Sequence, residues 1–349
     1  MVSIKDVAKR AGVSISTVSN VINNTKFVSD ELKVKINKVI AELNYEVDPV
    51  ARSLKSKKTM NIGVVITNVN RVFFSQVIKG IQDEASKKGY NITFCNTDDS
   101  FEKEKHFIQM LESNWIDGII LDSVADMEEE DYFRYLSGLG NKKKAIPVVS
   151  LERRLDNFGI DSVLVNNFLG GSMATRHLLD MGCGKIAHIT GPINSCMAQE
   201  RLKGYREELK KATLEVDPQR IREGDFSPLS GYQGVKQLLL DGIEIDGIFA
   251  ANDQMAIGAM KAIKEYGYTI PENIKVVGFD NTFVASIVEP SLTTVNVPKY
   301  RLGVVAVEIL INKIAKISSE THCTELPVNF LIRQSTDLRG DKSWDLYGW

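Results

Sequence analysis

The chain has 349 residues, 43% of them hydrophobic and 25% charged, with a formal net charge of −2. That length calls for two or three domains with packed cores and excludes a disordered chain; without an apolar run of eighteen residues or an h-region after Met1, a cytoplasmic protein is expected rather than a membrane or exported one. The near-neutral total hides an asymmetry: residues 1–58 carry eleven Lys and Arg against six acids, a net +5 on a remainder of −7, as in a basic module fused to an acidic body.

Three short helices fit before residue 45. Ser3 and Asp6 form a capping box, followed by an apolar face of Ile4, Val7 and Ala8. Gly12 suits a tight turn. Ser14 caps a second helix that turns Val18, Val21 and Ile22 inward and leaves Ile15, Ser16, Ser19 and Asn20 outside. Ser29 caps a third, with Leu32, Ile36, Val39, Ile40 and Leu43 along one side. Two helices joined by a short Gly-containing turn and braced by a third make a helix-turn-helix, whose second helix fits the major groove of DNA. Ser16 and Asn20 then reach base edges and Ile15 a thymine methyl, while Ser14, Thr17 and Ser19 meet phosphates. A structural three-helix cap without DNA is the competing reading.

Residues 46–58, EVDPVARSLKSKK, link this module to the rest. Pro49 can open a helix with Val50, Ala51 and Leu54 on an apolar side and Arg52, Lys55, Lys57 and Lys58 making it basic. So short a helix does not hold alone in water, so order is expected only with DNA and a partner chain, with Leu54 as a wedge in the minor groove. A plain flexible linker is the alternative.

From residue 60 apolar strands alternate with amphipathic helices. Strands are expected at 62–66, 91–96, 118–122 and 146–151, with helices near 73–88, 101–113 and 127–139. A second set has strands at 185–190, 220–223, 247–251 and 275–278 and helices near 167–181, 198–212, 228–240 and 253–266. Further strands at 291–295 and 326–333 flank a helix at 299–315. The fold class is therefore a small all-α helix-turn-helix domain followed by α/β, with two parallel-sheet subdomains.

Ligands of open α/β sheets lie beyond the carboxyl ends of the strands. There the sequence places Asn252 and Asp253, Asp280, Gly191 with Pro192, and Asn68 and Asn70 ahead of Phe73 and Phe74. Planar amides and carboxylates, the guanidinium fork of Arg201 and the aromatic face of Phe226 suit a polyhydroxylated ring. The plainer alternative is that Asn and Asp at strand ends only cap helices.

Nothing points to catalysis. GxGxxG and GxxxxGK[ST] loops are missing, and His106, His177, His188 and His322 are isolated, His188 reading as a strand-packing residue. Cys95, Cys183, Cys196 and Cys323 have neither metal nor disulfide spacing. No enzyme activity, cofactor or metal is expected. The run Lys142-Lys143-Lys144 reads as a solvated loop.

The opening IKDVAKRAGVSISTVSNVINN, together with DPVARSLKSKKTMNIGVV, RLKGYREEL, AANDQMAIGAM, VVGFDN and LPVNFLIRQST, resembles the LacI/GalR family of bacterial transcription regulators to about residue 338. The resemblance implies a homodimer on a near-palindromic double-stranded DNA operator and a core built like a periplasmic sugar-binding protein. By that likeness Ile15, Ser16 and Asn20 read bases and Leu54 is the intercalating leucine, with Ala51 and Lys55 beside it in the DNA-contacting hinge. Arg201, Asn252 and Asp280 hold positions that bond effector hydroxyls; Phe226 packs on the sugar and Phe73 borders it. Where many relatives place an Asp after the fourth strand, this chain reads VVSLERRL, so Glu152 or Arg153 takes that place. The tail GDKSWDLYGW lacks a leucine heptad, which favours a dimer over a tetramer.

The implied organisation is a DNA-binding domain (1–46), a hinge (47–59), an effector-binding and dimerisation core (60–338) and a tail (339–349). The core divides into about 60–164 plus 296–325 and about 165–290 plus 326–338. The expected function is a transcription regulator, by default a repressor, controlled by a small ligand of saccharide type. Control by a partner protein or a non-sugar metabolite is the alternative, and an exported-type solute-binding protein a weaker one.

Overall fold

The computed structural model describes residues 2–23, 26–45, 58–114, 116–126, 128–141, 144–318 and 320–344. Ala51, Leu54 and Lys55, expected in a DNA-contacting hinge, lie outside them. The chain divides into two units, Met1–Thr59 and Met60–Trp349.

The first unit is three helices, α1 (Ile4–Ala11), α2 (Ile15–Asn23) and α3 (Asp30–Glu42). The Asp6 carboxylate accepts the Ser3 N–H at 2.9 Å and the Ser3 hydroxyl at 2.7 Å, which fixes the start of α1. Gly12 ends it with φ at 68°, a left-handed value that a Cβ would strain. Ser14 starts α2 by accepting the Thr17 N–H at 3.1 Å. Ser29 occupies the cap position of α3, but its side chain accepts no cap hydrogen bond. Val7, Ala8, Ala11, Val18, Ile36 and Val39 are buried together as the core of this unit.

The second unit runs β1 (Asn61–Ile66), α4 (Phe73–Lys87), β2 (Asn91–Asn96), α5 (Phe101–Ser113), β3 (Gly118–Leu121) and α6 (Glu130–Ser137). There follow the two-residue strands β4 (Gly140–Asn141) and β5 (Lys144–Ala145), then β6 (Val148–Leu151) and β7 (Asp161–Val165). Next are α7 (Asn167–Asp180), β8 (Ile186–Thr190), α8 (Cys196–Lys211), β9 (Ile221–Glu223), α9 (Pro228–Leu240), β10 (Gly247–Ala250) and α10 (Asp253–Glu265). The chain ends with β11 (Lys275–Asp280), α11 (Phe283–Ile287), β12 (Thr293–Asn296), α12 (Lys299–Ile314), β13 (Cys323–Leu326) and β14 (Asn329–Leu331).

Two six-stranded sheets result, ordered β13-β7-β6-β3-β1-β2 and β14-β12-β11-β10-β8-β9. Every pairing in them is parallel except β12 with β14. The chain crosses between sheets after β7, after β12 and after β13. Strands such as NIGVVI and GIFA are apolar on both faces because helices cover both sides.

Five expectations need correction. Strand β7, DSVLV, was not anticipated: its two leading polar residues hide it, and both find partners in the fold. Asp161 accepts the His322 N–H at 2.9 Å and pairs with Lys313 at 2.9 Å, while the Ser162 hydroxyl accepts the Leu155 N–H at 2.8 Å. The single strand expected at 326–333 is two short strands in different sheets, because Pro327 has no N–H for a ladder. The short helix α11 was not expected, and the helix expected at 127–139 contracts to Glu130–Ser137. Lys144, read as part of a solvated loop, lies in β5, which pairs antiparallel with β4.

Candidate functional site

In the first unit, the start of α2 carries a cluster of small polar side chains. The Ser14 hydroxyl lies 2.7 Å from that of Ser16 and 2.8 Å from that of Thr17, so the three fix one another's rotamers. Ser14 and Ser16 are exposed, Thr17 and Asn20 half-buried, and Ile15 is 44% exposed although apolar. Ser19, expected outside, is buried. One residue from Val18 and three before Ile22, it falls at the margin of the inward stripe, so the outward face is narrower than its polarity suggests. An exposed isoleucine among short hydroxyls offers both an apolar contact and close backbone approach to a grooved partner.

In the second unit, the carboxyl ends of both sheets converge on two adjoining cavities of about 280 Å³ and about 40 Å³. Of the expected effector residues, Phe73, Glu152, Arg201, Phe226, Asn252 and Asp280 all line the smaller, and Arg153 joins Glu152 and Phe226 on the larger. Strand ends supply most of them: Glu152 and Arg153 follow β6, Asn252 follows β10, and Asp280 closes β11. Phe73 opens α4 and Arg201 projects from α8.

Arg201 organises the wall built from the second sheet. Its Nε–H donates to Asn167 Oδ1 at 2.8 Å, another N–H donates to the Ala251 carbonyl, and its guanidinium lies 3.8 Å from the Asp280 carboxylate. The guanidinium carbon also sits 3.6 Å from the centre of the Phe279 ring, a cation–π contact in a dry setting. Asn252 both caps α10, accepting the Met255 N–H at 2.8 Å, and donates to the Phe226 carbonyl at 3.0 Å. It thereby holds Phe226, whose φ of 67° is left-handed.

The wall from the first sheet is rich in unspent acceptors. Glu152 Oε2 accepts from Asn167 Nδ2 at 3.4 Å, while Glu152 Oε1 is buried with no hydrogen-bond partner. Asp122 uses one oxygen to accept the Thr67 hydroxyl at 2.8 Å. Burial pushes the Glu152 carboxyl up to about 8, against the pull of the Arg201 charge, and Asp280 up to about 7. Burial raises Asp122 as well.

The two walls touch. The Arg71 guanidinium carbon lies 5.0 Å from the centre of the Phe226 ring, the Val72 N–H donates to Gln254 Oε1 at 3.0 Å, and Asn194 donates to Asp126 at 2.9 Å. The isolated histidines play no part here. His188 is buried between Tyr205 and Phe249, donates through Nδ1 to the Phe249 carbonyl at 2.8 Å, and is driven by burial down to about 3, so it is a neutral core residue.

A reader helix set ahead of a two-sheet body with a polar cleft is matched by two family models. One, described as periplasmic binding proteins and sugar binding domain of LacI family, covers residues 59–334; the other, bacterial regulatory proteins, lacI family, covers residues 3–48. The chain belongs to the LacI family. Among its relatives, the HTH-type transcriptional repressor PurR of Vibrio atlanticus (strain LGP32) is 37% identical over 326 residues, 93% of this chain and 96% of that protein. The ribose operon repressor of Halalkalibacterium halodurans is 37% identical over 336 residues, 96% of this chain and 97% of that one. Among solved structures, a lac repressor dimer bound to operator and the anti-inducer ONPF superposes with a TM-score of 0.86 at 31% identity, over 96% of this chain and 99% of that one. The transcriptional regulator CelR in complex with cellobiose gives 0.72 at 28% identity, over 96% and 100%.

This LacI-family chain is thus a DNA-binding transcriptional repressor by kinship, and its relatives are repressors rather than enzymes. Among the described residues no helix is long and apolar enough to cross a membrane, and no group of three or more His, Cys, Asp or Glu could hold a metal ion. Sequence reasoning missed Arg71, Asp122, Thr67 and Asp99, all lining the larger cavity. Asp122 obeyed the strand-end rule and was discoverable by it. Arg71 carried no such signal, because its role depends on Phe226, far along the chain.

Proposed function

We propose that this chain is a cytoplasmic homodimeric repressor whose body binds a neutral, hydroxyl-rich ligand of monosaccharide size and thereby controls its grip on a near-palindromic operator. The unspent acceptor set carries the reading. The three guanidinium groups at the cavity, Arg71, Arg153 and Arg201, already donate to protein oxygens, whereas Glu152 keeps one oxygen bare and Asp122 and Asp280 keep lone pairs unused. A cavity with spare acceptors recognises a molecule rich in donors, and a sugar ring is one. A space of about 280 Å³ stands at the small end of ligand sites and suits a single ring. Phe73, Glu152, Arg153, Arg201, Phe226, Asn252 and Asp280 are assigned to the ligand. A ring that stacks on Phe226 takes the place the Arg71 guanidinium holds here.

On the DNA side, Ile15, Ser16 and Asn20 are assigned to base edges and Ser14 and Thr17 to phosphates; Ser19, being buried, supports α2 instead. Ala51, Leu54 and Lys55 are assigned to the minor groove. Residues 1–46 read, 47–59 form the joint, and 60–338 sense and dimerise, leaving 339–349 as a tail. Ligand binding changes the relation of the two subdomains, and occupancy of DNA follows by tens- to hundreds-fold for a coupling of about 2–3 kcal/mol.

A thermal-shift screen of monosaccharides, disaccharides and nucleobases, run on wild type and Glu152→Ala, tests this. Stabilisation by a monosaccharide that weakens at least about tenfold in the variant is expected, since a buried hydrogen-bond partner in a dry site is lost. A response to nucleobases alone, or an unchanged response in the variant, refutes the assignment.

A further inference from the structure

Lys299 is the first residue of α12, and only 8% of it is exposed. Its Nζ donates to the carbonyls of Asp280, Asn281 at 2.8 Å and Val297 at 3.2 Å. Helix α12 packs on α4 and on strands β3, β6 and β7 of the first sheet, whereas Asp280 ends β11 of the second. One ammonium therefore ties the helix of one subdomain to the backbone of a cavity residue in the other.

The segment it grips is strained. Asp280 and Asn281 have φ values of 105° and 53°, consecutive non-glycine residues in the region that side chains disfavour. The direction of the Asp280 carboxylate follows from that backbone, and it points at Arg201. An apolar side chain of similar length would fill the same space without desolvating a charge. What the ammonium adds is the set of hydrogen bonds to those carbonyls and a positive charge near the Asp280 and Asp253 carboxyls.

The other end of the connection is equally stiff. A Cβ built on Gly80 of α4 would lie 2.1 Å from the Tyr300 carbonyl oxygen, and one on Gly303 of α12 would lie 2.2 Å from that of Val77. The two helices touch backbone to backbone, with no side-chain layer to absorb a shift. Phe73, at the head of α4, returns the connection to the cavity.

We propose that Lys299 is the positioning residue that couples Asp280 in the cavity to the α12–α4 helix pair, so that a change at either is felt at the other. The inference rests on the reading that this cavity is the effector site, but its test uses no sugar, so the two can fail separately.

Coupling is reciprocal, so operator binding must register at the cavity end. Hydrogen exchange of the full-length protein is measured with and without an operator duplex selected from a random pool. In wild type, DNA is expected to change exchange in α4, in the first turn of α12 and at residues 280–282 by about fivefold or more. In Lys299→Met the change persists in the helices but drops below about twofold at residues 280–282, and Lys299→Arg restores it. A merely structural role would lower thermal stability and leave this response intact. Transmission in Lys299→Met equal to wild type, or no response at residues 280–282 in wild type, overturns the proposal. If Lys299→Met does not fold, Lys299→Leu, which likewise lacks N–H donors, stands in for it under the same criterion.

Discussion

Ser14, Ile15 and Ser16 stand in solvent above a core of six aliphatic residues, whereas Arg201, Glu152 and Asp280 are sealed inside a large two-sheet body. The helical unit keeps the side chains assigned to DNA outside the structure that supports them. In the body the side chains assigned to the ligand are also part of that structure: Arg201 braces Asn167 and the Ala251 carbonyl, and Asn252 caps a helix while holding Phe226. A reader of a rigid external surface needs only placement, and exposed groups are cheap to place. Discrimination of a small polar ligand needs dry, fixed groups, and these must be satisfied by the fold whenever the ligand is away. Function and stability should therefore separate in the reader and coincide in the body.

The harshest test is Arg201→Ala. It should cost about 3–5 kcal/mol in urea unfolding of the body, because Asp280 loses the charge beside it and Asn167 and the Ala251 carbonyl lose a donor. Ligand control of DNA binding should vanish with it. A variant as stable as wild type but deaf to ligand would break the comparison.

Glu152 gives a subtler version through pH. Burial raises its carboxyl from an ordinary 4.5 to about 8 in the folded chain, and Asp280 to about 7. For an acid shifted upward, the contribution is complete below the unfolded value and is lost as pH rises toward the folded one. Between those values the unfolded chain ionises while the native one stays protonated. Melting temperature should fall from pH 5 to pH 9, and Glu152→Gln should remove about 4 kcal/mol of that decline. A decline equally steep in the variant would show that the buried acid is not its source.

The same contrast explains what could be read from the sequence. The three reader helices were legible because amphipathic spacing and caps are local, as Ser3 with Asp6 and Gly12 show. The strand-end rule found Asn252 and Asp280. Asp122 escaped it only because the strand expected at 118–122 takes that residue in, whereas β3 ends at Leu121; the bare oxygen of Glu152 lay beyond it, since that depends on how Asn167 from the next helix is spent. Strand β7 hid because Asp161 and Ser162 look like loop residues until Lys313 and the Leu155 N–H answer them. Local chemistry was visible; satisfaction by distant partners was not.

In the reader, Ser16→Ala and Asn20→Ala should shift preference at one or two base pairs by about 1–3 kcal/mol each. The slope of log affinity against log salt should stay as it is, because that slope counts phosphates. Measured by anisotropy across a set of duplexes, a uniform loss on every sequence would mean that these side chains touch the backbone and not the bases.

The smallest effect expected is at Ser14, which is both exposed and structural, and so lies where the two regimes meet. Its hydroxyl accepts the Thr17 N–H at 3.1 Å and orients Ser16 and Thr17. Ser14→Ala should loosen the first turn of α2 by about 1 kcal/mol, read as roughly fivefold faster exchange of its amides. Base preference should hold while affinity weakens evenly, since every contact from the helix start loses rigidity together. A change in preference without faster exchange would place Ser14 among the base readers; faster exchange without a change in preference keeps the separation of support and readout that distinguishes this unit from the body.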